Sequence, residues 1–147
     1  DEALADYDRP LNERGRHDAP RMGRHLARLD LVPDLIVASG ARRAAATAKR
    51  AAFAAGYPGD IRYTDELYLA DPETFLEIAR ETDDVVARLM LVGHNPGIEE
   101  LVTALTGHDE RMPTAAVAGF RLAIDHWVEL NDETPTELIG IWRPKDL

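Results

Sequence analysis

Cysteine is absent from the 147-residue chain, which excludes a disulfide framework, a thiolate nucleophile and thiolate metal ligands. A cysteine-dependent phosphatase mechanism is therefore closed. No apolar run reaches the length of a membrane-spanning helix, and Asp1 to Asp8 is acidic rather than a basic and apolar leader. Positive charge is in deficit: 17 Lys and Arg face 27 Asp and Glu, a net charge of −10 with no long basic run. Such a body argues against nucleic acid or an anionic membrane as the main partner. The partner is expected to be a small molecule or a protein. His17, His25, His108 and His126 show no H-x-x-x-H or H-E-x-x-H spacing, so no metal site is expected. The patterns G-x-x-x-x-G-K-[ST], G-x-G-x-x-G and G-x-S-x-G are also missing, and Ser39 with His94 and an unspecified aspartate makes an unsupported triad.

What is present suffices for one core. The chain is 45% apolar, without repeats, low-complexity tracts or linkers, and reads as one domain of a soluble, cytoplasmic protein. Asp1 to Pro10 reads as an irregular loop. Asn12 caps a helix to about Leu29, with Met22, Leu26 and Leu29 at helical spacing. A strand Leu35 to Ala38 precedes a helix Ala41 to Ala55 stopped by Gly56 and Pro58. Ile61 to Tyr63 is the next strand, Pro72 opens a helix Glu73 to Arg80, and Leu89 to Val92 is a strand apolar on both faces. Helix Pro96 to Leu105 follows. Ala116 to Ile124, Trp127 to Leu130 and Glu137 to Trp142 read as sheet additions, with Trp127 and Trp142 equally suited to a core or an interface. Strands alternating with helices and a β-rich end predict a three-layer α/β/α fold around a central, mostly parallel sheet.

Two strand-to-helix junctions carry the chemistry. In Leu89-Met90-Leu91-Val92-Gly93-His94-Asn95-Pro96-Gly97 a histidine stands between glycines where a helix begins. Open α/β sheets bind ligands at the carboxyl ends of their strands, and a following helix offers unpaired N–H groups to an anion. Gly93, Asn95 and Gly97 would permit close ligand approach and anion-facing N–H groups. At the second junction, Ser39-Gly40-Ala41-Arg42-Arg43, either arginine could present a planar fork to phosphate or carboxylate. Two positive charges at a helix N-terminus oppose its dipole unless an anion binds there. Asp65 and Glu66 after the Ile61 to Tyr63 strand could supply a general acid or simply an exposed loop.

Asp8-Arg9-Pro10-Leu11-Asn12-Glu13-Arg14-Gly15, Ser39-Gly40-Ala41-Arg42-Arg43-Ala44 and Val92-Gly93-His94-Asn95-Pro96-Gly97, in this order and spacing, resemble the histidine phosphatase superfamily. The likeness is to its short SixA-type branch and covers nearly the whole chain. The resemblance implies a phosphoglycerate mutase-like fold and assigns phosphate binding to Arg43, a catalytic phosphate-ligating role to His94 and an oxyanion-holding N–H to Asn95. Glu66 is the preferred position for a catalytic acid, and no cofactor is implied. The family nucleophile lies in an Arg-His-Gly or Arg-His-Ala triplet ending the first strand. This chain has no such triplet after a β-run; Arg16-His17 imitates it inside a helix-opening segment. A central strand is thus expected upstream of Asp1, and without it Leu35 to Ala38 and Leu89 to Val92 would lose a neighbour.

The implied activity is removal of phosphate from protein phosphohistidine through a phosphohistidine enzyme intermediate. The absence of a large insertion between Ile61 and Leu91 suits an open site that accepts a protein side chain. Two alternatives stand beside it: a phosphatase of small phosphate esters in the same superfamily, and a non-catalytic phosphate-binding domain if the chain is complete. The partner is then a phosphorylated protein or a small phosphorylated substrate.

Overall fold

Apolar runs bounded by Pro, Gly and Asp set the strands of the computed structural model, which describes residues 2–147. Strand β1 (Leu35–Ala38) lies between β2 (Ile61–Tyr63) and β3 (Leu89–Val92), and both pairings are parallel. Register places Leu35 beside Leu89, Ile36 beside Met90, Val37 beside Leu91 and Ala38 beside Val92. Because side chains alternate across a strand, each face of this sheet carries one apolar set. Ile36, Ala38, Met90 and Val92 meet Ala48 and Ala52 of helix α3 (Arg42–Ala55). Leu35, Val37, Leu89 and Leu91 meet Phe75 of α4 (Pro72–Arg80) and Ile98 and Leu101 of α5 (Gly97–Thr106). Helices on both faces give the three layers expected from the sequence.

Caps account for the helix boundaries. Asn12 accepts a hydrogen bond from the Gly15 N–H at 2.9 Å and starts α2 (Glu13–Arg28), while Asp71 accepts from Thr74 N at 2.9 Å ahead of Pro72. Gly56 ends α3 in the left-handed conformation at φ 74°. Helices α2 and α3 approach closely because Gly23 has no Cβ: one built there would stand 2.2 Å from the Ala51 carbonyl oxygen.

The β-rich end is a separate antiparallel pair, β4 (Val117–Leu122) and β5 (Thr136–Trp142). Leu122, Ile124, Trp127 and Leu130 dock it against Leu76 and Ala79 of α4. Trp142 packs over Gly119 and Gly140, and its ring meets His25 edge-on at 6.2 Å.

Three expectations are corrected. Residues within Asp1 to Pro10 form a helix, α1 (Glu2–Tyr7), rather than a loop. Trp127 to Leu130 is not a strand: Trp127–Glu129 is a single 3-10 turn held by Glu129 accepting from the backbone N–H groups of Asp125 and His126, and the Trp127 indole donates to Val86 O at 2.8 Å. Leu35–Ala38 has a strand on each side, so of the two strands expected to lose a neighbour Leu89–Val92 alone has an unpaired edge among the described residues.

That edge opens onto a feature of its own. A cavity of about 1010 Å³ separates β3 from β4, lined by Met90 and Val92 on one side, Val117 and Phe120 on the other, with Met22 of α2 and Val102 of α5 among its walls. Two strand edges and two helical layers therefore bound a predominantly apolar slot. Unpaired backbone groups on such edges are costly unless another strand or water satisfies them.

Candidate active site

The carboxyl ends of β1 and β3 bring the two junctions together. His94 Nε2 lies 2.8 Å from Ser39 Oγ, and both residues are buried. The Ala41 N–H donates to Ser39 Oγ at 3.1 Å, which leaves the serine hydroxyl proton for His94 Nε2 when the ring carries its own proton on Nδ1. Burial is the largest cause pushing the His94 pKa down to about 4, and the charge of Arg43 adds to it. The imidazole is thus neutral at pH 7. Its Nδ1 takes no hydrogen bond among the described residues, and His94 lines the large cavity.

This arrangement does not make a serine-hydrolase triad. Ser39 is wholly buried, and no aspartate is bonded to His94 among the described residues. A nucleophilic serine needs an exposed hydroxyl and a base oriented by a third group.

Of the two arginines, Arg43 lines the same cavity as His94 and its charge acts on the His94 ring, whereas Arg42 is exposed. Its guanidinium donates to Asp6 O at 2.7 Å and to Asp6 Oδ2 at 3.1 Å. Tyr68 OH donates to the same Oδ2 at 2.5 Å. That hydrogen bond, followed by the ion pair with Arg43, holds the Asp6 carboxyl below the usual carboxylate range. The Tyr68 ring stands edge-on to His94 at 5.4 Å and to Tyr7 at 5.2 Å. An Arg fork already holding a carboxylate is built for oxyanions, and three of its five N–H groups remain.

Asp6, Tyr7 and Tyr68 were not singled out in the sequence. Reading Asp1 to Pro10 as a loop hid Asp6 and Tyr7, since a six-residue helix carries no periodic seam long enough to detect, and Tyr68, which ends the 3-10 turn Asp65–Leu67, meets Asp6 only across 62 residues of sequence. Tyr7 OH donates to Asp65 Oδ1 at 2.6 Å, so Asp65 belongs to this network. Glu66 is exposed on the same turn, and its side chain makes no hydrogen bond or ion pair among the described residues.

Asn95 is exposed beside His94. Its Nδ2 donates to Met112 O at 2.8 Å and its Oδ1 accepts from Glu99 N at 3.2 Å, which fixes the loop and leaves the Asn95 backbone N–H without a partner among the described residues. The neighbouring glycines have a packing role. A Cβ on Gly93 would lie 2.8 Å from Phe75 Cζ, and one on Gly97 would lie 2.0 Å from the Ala70 carbonyl oxygen. Among the described residues no group of three or more His, Cys, Asp or Glu could hold a metal ion, and no helix is long and apolar enough to cross a membrane.

The fold is that of an α/β protein whose parallel sheet brings a histidine and an arginine toward its carboxyl edge. The model of the histidine phosphatase superfamily (branch 1) matches residues 4–68. An uncharacterized protein of Mycobacterium tuberculosis is 33% identical over 156 aligned positions, which take in 98% of this chain and 94% of the relative. A crystal structure provisionally described as the phosphohistidine phosphatase SixA of Agrobacterium tumefaciens is 32% identical, with a TM-score of 0.79 over 95% of this chain and 86% of that one. A protein histidine phosphatase SixA complexed with tungstate shares the fold at 20% identity, with a TM-score of 0.80 over 96% and 88% of the two chains. The chain belongs to the histidine phosphatase superfamily and is SixA-like, which makes it a member of a family of phosphatases.

Proposed function

We propose that the protein removes phosphate from phosphohistidine on a protein substrate, without a metal or other cofactor. The convergence of Arg43 and His94 at one end of the sheet carries this reading. Arg43, His94 and the Asn95 backbone N–H hold the equatorial phosphoryl oxygens and stabilise charge in the transition state. A histidine nucleophile attacks phosphorus, a new N–P bond forms as the substrate N–P bond breaks, and the substrate imidazole leaves with a proton. Water then attacks the enzyme phosphohistidine and releases inorganic phosphate.

The nucleophile in this proposal is carried by a strand that fills the slot between β3 and β4. A segment upstream of Asp1, running parallel to β3, would emerge at the carboxyl edge of the sheet, where Asp6 and Tyr7 of α1 already lie against Arg43, Asp65 and Tyr68. The whole then forms one domain. The slot's apolar walls call for such an occupant, because a strand satisfies the free edges and covers the side chains together.

Exposure of Glu66 supports phosphohistidine over phosphate esters. Imidazole leaves readily near neutral pH, whereas an alkoxide needs a positioned acid. Hydrolysis of a histidine-phosphorylated peptide and of an aryl or alkyl phosphate by the wild-type protein and Glu66→Gln tests this. Faster phosphohistidine than ester hydrolysis, with both unchanged in Glu66→Gln, supports the preference, whereas efficient ester hydrolysis that Glu66→Gln impairs while sparing phosphohistidine favours the ester reading. The protein is placed in the cytoplasm on the same reading.

A further inference from the structure

Beside the candidate active site lies a second, smaller pocket of about 340 Å³ that shares Asn95, Met112 and Pro113 with the large cavity. Its other walls are Glu99, Arg111, Arg143 and Lys145. Three cations around one small pocket stand out in a chain of net charge −10. Three cations face two carboxylates there, one of which pairs with a cation while the other keeps its charge and is held by a backbone N–H. Glu99 Oε2 accepts from Met112 N at 2.8 Å, and Glu110 Oε1 pairs with Arg143 Nη2 at 3.0 Å. Arg143 Nε donates to Arg111 O at 2.9 Å, which fixes its fork in place. Arg111 and Lys145 are exposed, and among the described residues neither side chain has an ion-pair or hydrogen-bond partner. The other flank of the site has the reverse sign, with Asp6 and Asp65 held by Tyr68 and Tyr7.

We infer that this pocket is an anion subsite which receives an acidic side chain flanking the phosphorylated histidine of a protein substrate. The inference rests on the phosphohistidine reading for its substrate. Asn95 joins the two sites: it follows His94 directly, and its side chain holds Met112 next to Arg111. An extended peptide advances about 3.3 Å per residue, so a neighbour of the phosphorylated residue reaches the adjoining pocket while phosphate sits at Arg43 and His94. The pocket also answers a physical need. The acidic body repels an acidic partner at long range, but screening over roughly 8 Å at physiological salt lets the local cations dominate at contact. Two exposed pairs of modest strength together supply discrimination of a few-fold.

The test compares two histidine-phosphorylated peptides, one with glutamates on both sides of the histidine and one with glutamines, hydrolysed by the full-length protein. The expected result is a kcat/KM advantage of about threefold or more for the glutamate peptide at low salt, lost at high salt and lost in the Arg111→Gln/Lys145→Gln variant. Turnover of phosphoramidate, which lacks a flank, stays at the wild-type level in that variant. Equal kcat/KM for both peptides, or an advantage that survives the double substitution, overturns the subsite. Fluorescence anisotropy with the unphosphorylated glutamate peptide separates the two readings. Salt-sensitive binding that needs Arg111 and Lys145, without hydrolysis of either phosphopeptide, keeps the subsite and refutes the phosphohistidine activity. Hydrolysis without such binding refutes the subsite alone.

Discussion

His94 Nε2 and Ser39 Oγ, 2.8 Å apart, tie the carboxyl end of β3 to that of β1. With the ring proton on Nδ1 the neutral imidazole accepts the serine proton, and burial favours the neutral ring by lowering the His94 pKa to about 4. Arg43, the cation that acts most strongly on His94, is compensated by Asp6.

A depressed histidine pKa makes stability depend on pH. The unfolded chain binds the His94 proton near pH 6.5 and the folded one only near 4, so this contribution is complete above about 6.5 and is lost as pH falls toward 4. A shift of this size corresponds to on the order of 3 kcal/mol. Urea unfolding between pH 4 and 7 should show that slope, and His94→Gln should flatten it. An unchanged slope in the variant would remove His94 as its source.

Arg43→Ala and His94→Ala each delete one electrostatic partner of the transferring group. Each should cost about 2.7–4 kcal/mol of transition-state stabilisation, roughly 10²–10³-fold in kcat. Phosphoramidate turnover by the full-length variants measures this, and near-wild-type rates in both would contradict the site.

Asp6 opposes phosphate on the guanidinium it pairs with, at 3.1 Å from Arg43 Nη2. Asp6→Asn keeps the size and the backbone carbonyl contact but removes the like charge. Inorganic phosphate, titrated calorimetrically, should bind several-fold more tightly to the variant. Weaker binding would show instead that the carboxylate is needed to orient Arg43.

Gly97 separates packing from ligand approach. Its missing Cβ would lie 2.0 Å from the Ala70 carbonyl oxygen, a backbone atom with little freedom to move. Gly97→Ala should lose about 1–3 kcal/mol of folding stability, while phosphate affinity of the folded protein stays at the wild-type value. Full stability with impaired binding would restore the ligand-approach role.

Strands β1, β2 and β3 were legible to the residue, because a short apolar run between turn residues has few alternatives in an α/β chain. His94 and the pair Arg42-Arg43 stood out as candidates for a related reason: each stands where a strand gives way to a helix. Asp6 was not, since its contact with Arg43 spans 37 residues and only tertiary structure brings them together. The 3-10 turn at Trp127 was misread as strand because aromatic and β-branched residues favour both settings, and the deciding bonds come from Glu129 and from Asp84, which accepts the Trp127 N–H at 3.0 Å. The glycines flanking His94 were found, but their packing against Phe75 and Ala70, distant in sequence, was not.

The most direct test of the account is rapid-quench trapping of the full-length protein with labelled phosphoramidate or a histidine-phosphorylated peptide. An acid-labile, base-stable phosphoenzyme on the proposed histidine upstream of Asp1 is expected, formed slowly or not at all in Arg43→Ala and His94→Ala. Substrate hydrolysis without any phosphoenzyme, or label on a residue other than that histidine, would contradict it.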